Sequence, residues 1–216
     1  RDMSMKLFHV ETQRFIDNIT SITPGALRGG LQAVARHPKK NEILVGGSDG
    51  VPQIYQMFRT AARKIGDNAA LLRRFPEMEG RIFGVDYSPD GDRIVAAASL
   101  DAHGAVNLYA AQFNATIPTN ILKAYEKTAG EYTKEERDAI ESFVTSEIKL
   151  LAAVPITNAA VYAVTFSPDG KVVAAAGSDG QIRLIDGTSG AVTKIFASVE
   201  VAASVANARA TTRPLK

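Results

Sequence analysis

Cysteine is absent from the 216 residues. That excludes disulfides, thiolate metal sites, iron–sulfur clusters, covalent haem attachment and cysteine nucleophiles. Tryptophan is absent too, and histidine occurs only as His9, His37 and His103. Three scattered histidines do not make a histidine metal centre. No apolar run approaches the ~18 residues of a membrane-spanning helix. The opening RDMSMKLFHV lacks the long apolar region and cleavage motif of a signal peptide. It also lacks an initiator methionine, which suggests a processed fragment. Excess charge is missing as well: 25 Lys and Arg against 23 Asp and Glu leave a net of +2. Such a balance steers the chain strongly toward neither nucleic acid nor acidic surfaces.

What is present is a globular composition, 45% hydrophobic and 22% charged, long enough for a sizeable core. It is organised by repeats. Arg81 to Tyr109 reads RIFGVDYSPDGDRIVAAASLDAHGAVNLY, and Val161 to Ile185 reads VYAVTFSPDGKVVAAAGSDGQIRLI. A weaker copy runs from Leu31 to Met57, with His37-Pro38 where Ser88-Pro89 and Ser167-Pro168 stand. The tail of a fourth copy is Arg1 to Phe8, aligned with Ser178 to Ile185.

One unit explains itself physically. Tyr162, Val164 and Phe166 alternate onto one face of a strand. Pro168-Asp169-Gly170 makes a tight turn: proline presets φ, and glycine takes the conformation other residues resist. Val172 to Ala176 is a second strand of small apolar residues, as a strand covered on both faces requires. Ser178-Asp179-Gly180 is a hairpin turn. Gln181 to Asp186 and Ala191 to Phe196 supply two more strands. Four short antiparallel strands per repeat predict a propeller blade. The fold class is therefore all-β, a propeller fragment of about three and a half four-stranded blades with a helical insertion. The expected units are 1–19 (partial), 21–76, 77–155 and 156–202, with 203–216 as a tail.

The insertion occupies 113–146. The two SPDG turns lie 79 residues apart, with no blade signal between. Ile121, Leu122 and Tyr125 share a helical face, Thr133 and Glu136 fit a capping box, and Ile140, Phe143 and Val144 recur at helical spacing. Helices are predicted near 119–128 and 134–145, between a blade's third and fourth strands. Arg59 to Asn68 is a smaller insertion at the same place in the preceding blade.

Sites of chemistry fare poorly. Gly29-Gly30, Gly46-Gly47 and Gly177 to Gly180 give no GxxxxGK[ST] and lack a dinucleotide-binding context. Asp90, Asp169 and Asp179 each sit alone in a turn, whereas calcium needs roughly six to eight converging oxygens. His37 and His103 have no nucleophile elbow beside them. Arg59, Arg63-Lys64 and Arg73-Arg74, near Phe58 and Phe75, imitate a nucleic-acid patch. Asp67, Glu77 and Glu79 dilute it, so the basic residues read as a solvated face. No catalytic, metal or cofactor site is expected.

SPDGK, VVAAAGSDG and QIRLID, together with their partial copies, resemble WD40 repeats of a β-propeller. The segments 168–186 and 131–143 more narrowly resemble the WD40 regions of planctomycete-type envelope proteins that often carry a c-type cytochrome domain. The family's tryptophan position is filled by Phe8, Tyr109 and Ile185. Only Asp186 keeps the aspartate that follows it; His9 and Ala110 replace it elsewhere. Asp49 and Asp179 match the family's turn aspartate between the second and third strands. Asp101 matches it with an added Ala102-His103. The Gly-His pair that completes the family's hydrogen-bonded network is absent, which leaves each blade more dependent on strand packing.

The resemblance implies a non-catalytic protein-interaction scaffold within a larger bacterial protein. The alternative is a structural module of a redox or cytochrome-containing protein whose chemistry lies outside this chain. Candidate contact residues are His37, Asp49, Asp101, His103 and Asp179. Expected partners are proteins and the remaining propeller blades, from the same parent or another chain, with neither nucleic acid nor membrane insertion. Periplasm or cell envelope is the location the resemblance implies.

Overall fold

The structure, a computed structural model, describes residues 4–20 and 30–197. The expected tail at 203–216, and the expected unit ends at 1–3, 21–29 and 198–202, lie outside the described residues. In chain order the elements are β1 (Lys6–Phe8), β2 (Phe15–Asn18), β3 (Leu31–Arg36), β4 (Glu42–Gly47), β5 (Gln53–Gln56) and β6 (Leu71–Arg74). Next come β7 (Arg81–Tyr87), β8 (Arg93–Leu100), β9 (His103–Ala110), α1 (Thr119–Ala124), a 3-10 turn (Ala129–Glu131) and α2 (Lys134–Thr145). The last five are β10 (Lys149–Ile156), β11 (Val161–Phe166), β12 (Val172–Gly177), β13 (Gln181–Asp186) and β14 (Val192–Ala197).

Three sheets of four strands follow sequence order: β3 to β6, β7 to β10 and β11 to β14. The β1–β2 pair forms a fourth, two-stranded sheet. Every pairing is antiparallel. This is the all-β, propeller-like architecture that the repeats predict, with the helices inserted between β9 and β10.

Register makes the repeats equivalent residue by residue. Ile43 pairs with Tyr55, Ile94 with Tyr109 and Val173 with Ile185. All six side chains are buried. Tyr55, which the sequence alignment did not single out, thus takes the place of Tyr109 and Ile185 in the first four-stranded sheet. Phe8, in the two-stranded sheet, is 52% exposed and meets Phe15 edge-on at 5.7 Å.

Successive sheets pack through their first strands, with β7 between β3 and β11. The approach is close. A Cβ on Gly46 would lie 2.4 Å from Ile82 Cγ2, so that position of β4 excludes any side chain. Phe75 packs on Tyr109 with ring centroids 5.0 Å apart and the planes tilted by 58°. Between the second and third sheets, Ser99 Oγ donates to Val161 O (3.0 Å) and accepts from Val161 N (2.7 Å). Asp86 Oδ2 accepts from Thr165 Oγ1 (2.8 Å) and Phe166 N (2.9 Å). Arg93 Nη1 reaches Gly187 O at 2.8 Å.

The SPDG aspartates serve their own turns. Asp169 Oδ1 accepts from Ser167 Oγ (2.6 Å) and Lys171 N (3.1 Å). Asp90 does the same with Ser88 Oγ and Asp92 N. The first helix stops at Ala124 rather than near 128. Thr128 and Glu131 close a capping box around the 3-10 turn instead, which fixes the chain direction before α2. Thr133 and Glu136 cap α2 reciprocally, as their spacing predicts.

α2 lies against β6 of the preceding sheet, and a buried cation joins them. Arg73 is 1% exposed. Its guanidinium donates to Leu72 O (2.6 Å), Asn114 O (2.9 Å) and Glu147 Oε2 (2.8 Å). It also lies over Phe113 at 4.5 Å and Phe143 at 4.8 Å. Arg59 is likewise enclosed and pairs with Asp67 at 2.7 Å. These two arginines are internal struts, which corrects the reading of the basic residues as one solvated face. Their carboxylate partners are distant in sequence or inside a loop, so charge counting along the chain misses them.

Arg73→Met is expected to destabilise the protein by about 2–4 kcal/mol, because the Leu72 and Asn114 carbonyls lose their donor and the guanidinium leaves the Phe113 and Phe143 rings. Urea unfolding measures this. Hydrogen exchange across 134–145 should quicken at the same time.

Candidate interaction surface

The hairpins between second and third strands carry four of the five candidate contact residues. In the first and third sheets the turn is the same. Gly50 N donates to Gly47 O (3.2 Å) and Gly180 N to Gly177 O (3.3 Å). Each closing glycine has φ near +70°, where a side chain is strained. Asp49 and Asp179 stand just before those glycines.

Both aspartates are engaged within their own sheets. Asp49 Oδ1 accepts from Val51 N at 3.2 Å, and Oδ2 from Gln53 Nε2 at 3.5 Å. Gln53 Oε1 in turn accepts from the Tyr55 hydroxyl at 2.6 Å. Burial pushes the Asp49 carboxyl up, against the pull of the Val51 N–H. Burial also raises the Tyr55 hydroxyl to about 12. Asp179 meets the Arg183 guanidinium at 2.5 Å, which holds its carboxyl below the ordinary aspartate range. Asp186 accepts from Ser189 N (2.7 Å), Ser189 Oγ (2.8 Å) and Thr188 N (3.1 Å) and caps the next turn. Those bonds hold its carboxyl low as well.

Asp101 departs from the alignment. The β8–β9 ladder runs three pairs past Ala97↔Val106, through Ala98↔Ala105, Ser99↔Gly104 and Leu100↔His103. Ala176↔Ile182 is the equivalent of that Ala97 pair and the last one β12 makes with β13. Asp101 and Ala102 are the two turn residues at the tip, with φ of 45° and 63°, as a two-residue hairpin requires. Asp101 therefore does not occupy the site of Asp49 and Asp179. The extra residues lengthen the ladder instead of enlarging the loop. Asp101, Ala102 and His103 are all exposed, and among the described residues no partner holds the side chains of Asp101 or His103.

His37 is placed differently. It lies in the β3–β4 turn, 2% exposed, away from the other four candidates. Its Nδ1 accepts from the backbone N–H of Lys39 and Lys40, both at 3.0 Å. Its ring lies 4.9 Å from that of Tyr87. A Cβ on Gly91 would fall 2.4 Å from His37 Cε1. The histidine thus caps its own turn and wedges the first sheet against the second. Neighbours so far away along the chain leave no mark in the local sequence. Gln53 and Asn107 were also missed. Asn107 Nδ2 donates to Tyr109 Oη at 3.0 Å, repeating the Gln53–Tyr55 pair two residues apart along the strand.

Among the described residues no group of three or more His, Cys, Asp or Glu converges for a metal ion. No described helix is long and apolar enough to cross a membrane.

The sheets and their turn chemistry define a class, a propeller-like β-protein with peripheral insertions. Within it, residues 150–186 match the WD40 family model, described as WD domain, G-beta repeat. The matched stretch takes in almost all of β10 and then β11, β12 and β13, so one WD40 unit spans two adjacent sheets. No curated protein matches the chain.

Burial lowers the His37 imidazole below its ordinary value, helped by Lys40 and Lys39 and opposed by Gly91 and Asp92. A lowered folded-state value means that its contribution to stability is complete above ~6.5, the unfolded value. That contribution is lost as pH falls through the folded value. His37→Asn keeps an acceptor for the turn but does not titrate. Its stability profile is expected to flatten between pH 7 and 5 relative to wild type, as measured by thermal unfolding across pH.

Proposed function

We propose that this chain is a non-catalytic WD40-type interaction scaffold belonging to a larger bacterial protein. The β8–β9 hairpin supports the reading most directly. It extends three pairs beyond its counterpart and ends in exposed Asp101, Ala102 and His103. A short two-stranded ladder on a packed sheet holds these side chains at a fixed place, where binding residues concentrate. Asp49 and Asp179 shape their own turns and contribute to binding by fixing the shape of those loops. The exposed face of α2, with Arg137 and Asp138, is a second contact surface. Its buried face is taken by Phe143 and Val144.

The alternative, a module of a redox assembly, places its chemistry on other domains. The resemblance of 168–186 and 131–143 to planctomycete-type proteins supports the larger bacterial parent.

The test is quantitative capture of partners from bacterial envelope extract. Asp101→Ala with His103→Ala is expected to weaken capture at least tenfold while the melting temperature stays within about 2 °C, the range of a mild surface change. Arg137→Ala with Asp138→Ala probes the helix in parallel. Unchanged capture by both double variants removes these surfaces. Substrate-dependent turnover by the isolated chain defeats the non-catalytic reading.

A further inference from the structure

The turns between first and second strands provide an internal comparison. All three close on the same backbone pair. His37 N donates to Glu42 O (2.9 Å), Ser88 N to Arg93 O (2.9 Å) and Ser167 N to Val172 O (2.7 Å). Inside that pair they differ. Gly91 N donates to Ser88 O and Gly170 N to Ser167 O, both at 2.8 Å. An aspartate reinforces each of these two turns, Asp90 accepting from Asp92 N and Asp169 from Lys171 N. The first turn has Lys39 at the place of the aspartate and Lys40 at the place of the glycine. Its inner amides, Lys39 N and Lys40 N, both donate to His37 Nδ1 at 3.0 Å. One imidazole nitrogen therefore stands in for a carbonyl and a carboxylate.

That nitrogen accepts only while it carries no proton. The ring is 2% exposed and lies 4.9 Å from the Tyr87 ring. It is pressed on Gly91, where a Cβ would fall 2.5 Å from His37 Nε2. Several charged groups surround it. Its own turn brings Lys39 and Lys40, and the facing turn brings Asp92. β4 brings buried Glu42, 3.9 Å from Lys40 Nζ, and β6 brings Arg73 toward Glu42. Asp90 is taken by Ser88 and Arg93. Burial and the two lysines disfavour a charged ring, more than Asp92 and the Gly91 backbone favour one. Burial also pushes the Glu42 carboxyl up, so acid removes the counter-charge of Lys40 early. The Asp90 and Asp169 carboxyls are held below the ordinary aspartate range. Their turns keep their acceptors throughout the range in which a histidine titrates.

We propose that the β3–β4 turn is an acid-released clasp between the first and second sheets. A proton on His37 Nδ1 removes the acceptor of the Lys39 and Lys40 amides. It also places a cation in a site closed by Gly91 and Tyr87 and flanked by two lysines. The turn then opens and the ring leaves the second sheet, while the other two turns stay closed. Release occurs as pH falls through the folded-state value of His37, which lies below ~6.5. The opening is confined to this end of the joint, because Gly46 against Ile82 still packs the two sheets further along. The proposal goes beyond the scaffold reading: it makes the fastening of two sheets depend on pH and uses neither the Asp101–His103 tip nor the exposed face of α2.

The test uses the full chain. His9, His37 and His103 are its only histidines, so a proton NMR titration follows the His37 ring directly. Hydrogen exchange, corrected for the intrinsic effect of pH on exchange, follows the turn amides. Between about pH 7.5 and 5 the Lys39 and Lys40 amides are expected to lose protection at least tenfold, with the midpoint of the His37 titration. The Gly170 and Lys171 amides should stay within twofold, and the far-ultraviolet circular dichroism should not change. His37→Asn keeps an acceptor that gains no proton, and its turn should stay protected at the acid end. The proposal is overturned by a His37 ring that stays neutral to about pH 5, or by a ring that titrates while Lys39 and Lys40 remain protected. Equal loss at Gly170 and Lys171, which marks global unfolding, overturns it too, as does equal loss in a folded His37→Asn variant. The wild-type titration decides the matter alone where that variant does not fold. Partner capture tests the scaffold reading separately, so either can fail without the other.

Discussion

A sheet with two apolar faces is not stable alone in water, and this requirement organises the protein. Leu44, Val45, Ile54 and Tyr55 are buried although neighbouring residues along a strand point to opposite faces. The same holds for Ile94 through Ala98 in β8. Such strands need a neighbour on each side. The first strand of the following sheet supplies one neighbour, and the strand's alternation supplies the address. Glycines 46 and 84 set the distance, because backbone then meets side chain directly. Burial at ~25 cal/mol per Å² rewards this contact.

Stacking alone does not hold the outer rim, where polar groups enter the interior. Arg73 stabilises the second sheet's insertion over the first sheet's last strand. It combines carbonyl hydrogen bonds with two aromatic faces and one carboxylate, Glu147, that stays half-exposed. The half-exposed partner keeps part of the pair solvated, which lowers the desolvation cost. The smaller insertion works similarly. Arg63 reaches Asp17 of β2 at 2.7 Å, and Ile65 O accepts from Ala129 N at 3.0 Å. The two-stranded sheet, the first excursion and the helices thereby form a continuous outer belt. It fastens sheets that the inner strands bring together.

The strands and turns were legible because their signals are local. SPDG, GSDG and two-residue alternation lie within single hairpins, and the capping residues of α2 lie three apart. The contacts between sheets were not legible. His37 reads as a loop histidine until Gly91 and Tyr87, fifty residues on, close over it. Arg59 and Arg73 read as surface charge until Asp67, Asn114 and Glu147 surround them. The β8–β9 tip failed for another reason. Two added residues can widen a turn or lengthen a ladder, and only the pairing of Leu100 with His103 distinguishes the outcomes. The single family match at 150–186 follows the same logic. It falls where no insertion interrupts the unit, whereas the first and second repeats are split before their fourth strands.

The missing tryptophan and Gly-His pair do not leave the sheets without polar ties; they change which ties form. At one strand position stand Gln53, Asn107 and Arg183. In the first sheet Gln53 links Asp49 to Tyr55, and in the third Arg183 links back to Asp179. Both ties run from the third strand to the turn and hold the turn down. In the second sheet Asn107 bonds only forward, to Tyr109, and nothing ties it to Asp101. A longer ladder without that tie moves the tip outward and releases its side chains from structural duty. The sheet that carries the helical insertion is thus also the one whose hairpin is relieved of holding its own turn. The opposite end of the same sheet is tied instead through its insertion, where Arg73 bonds Asn114 O and Glu147, so the second sheet is fastened at one end of its strands and free at the other.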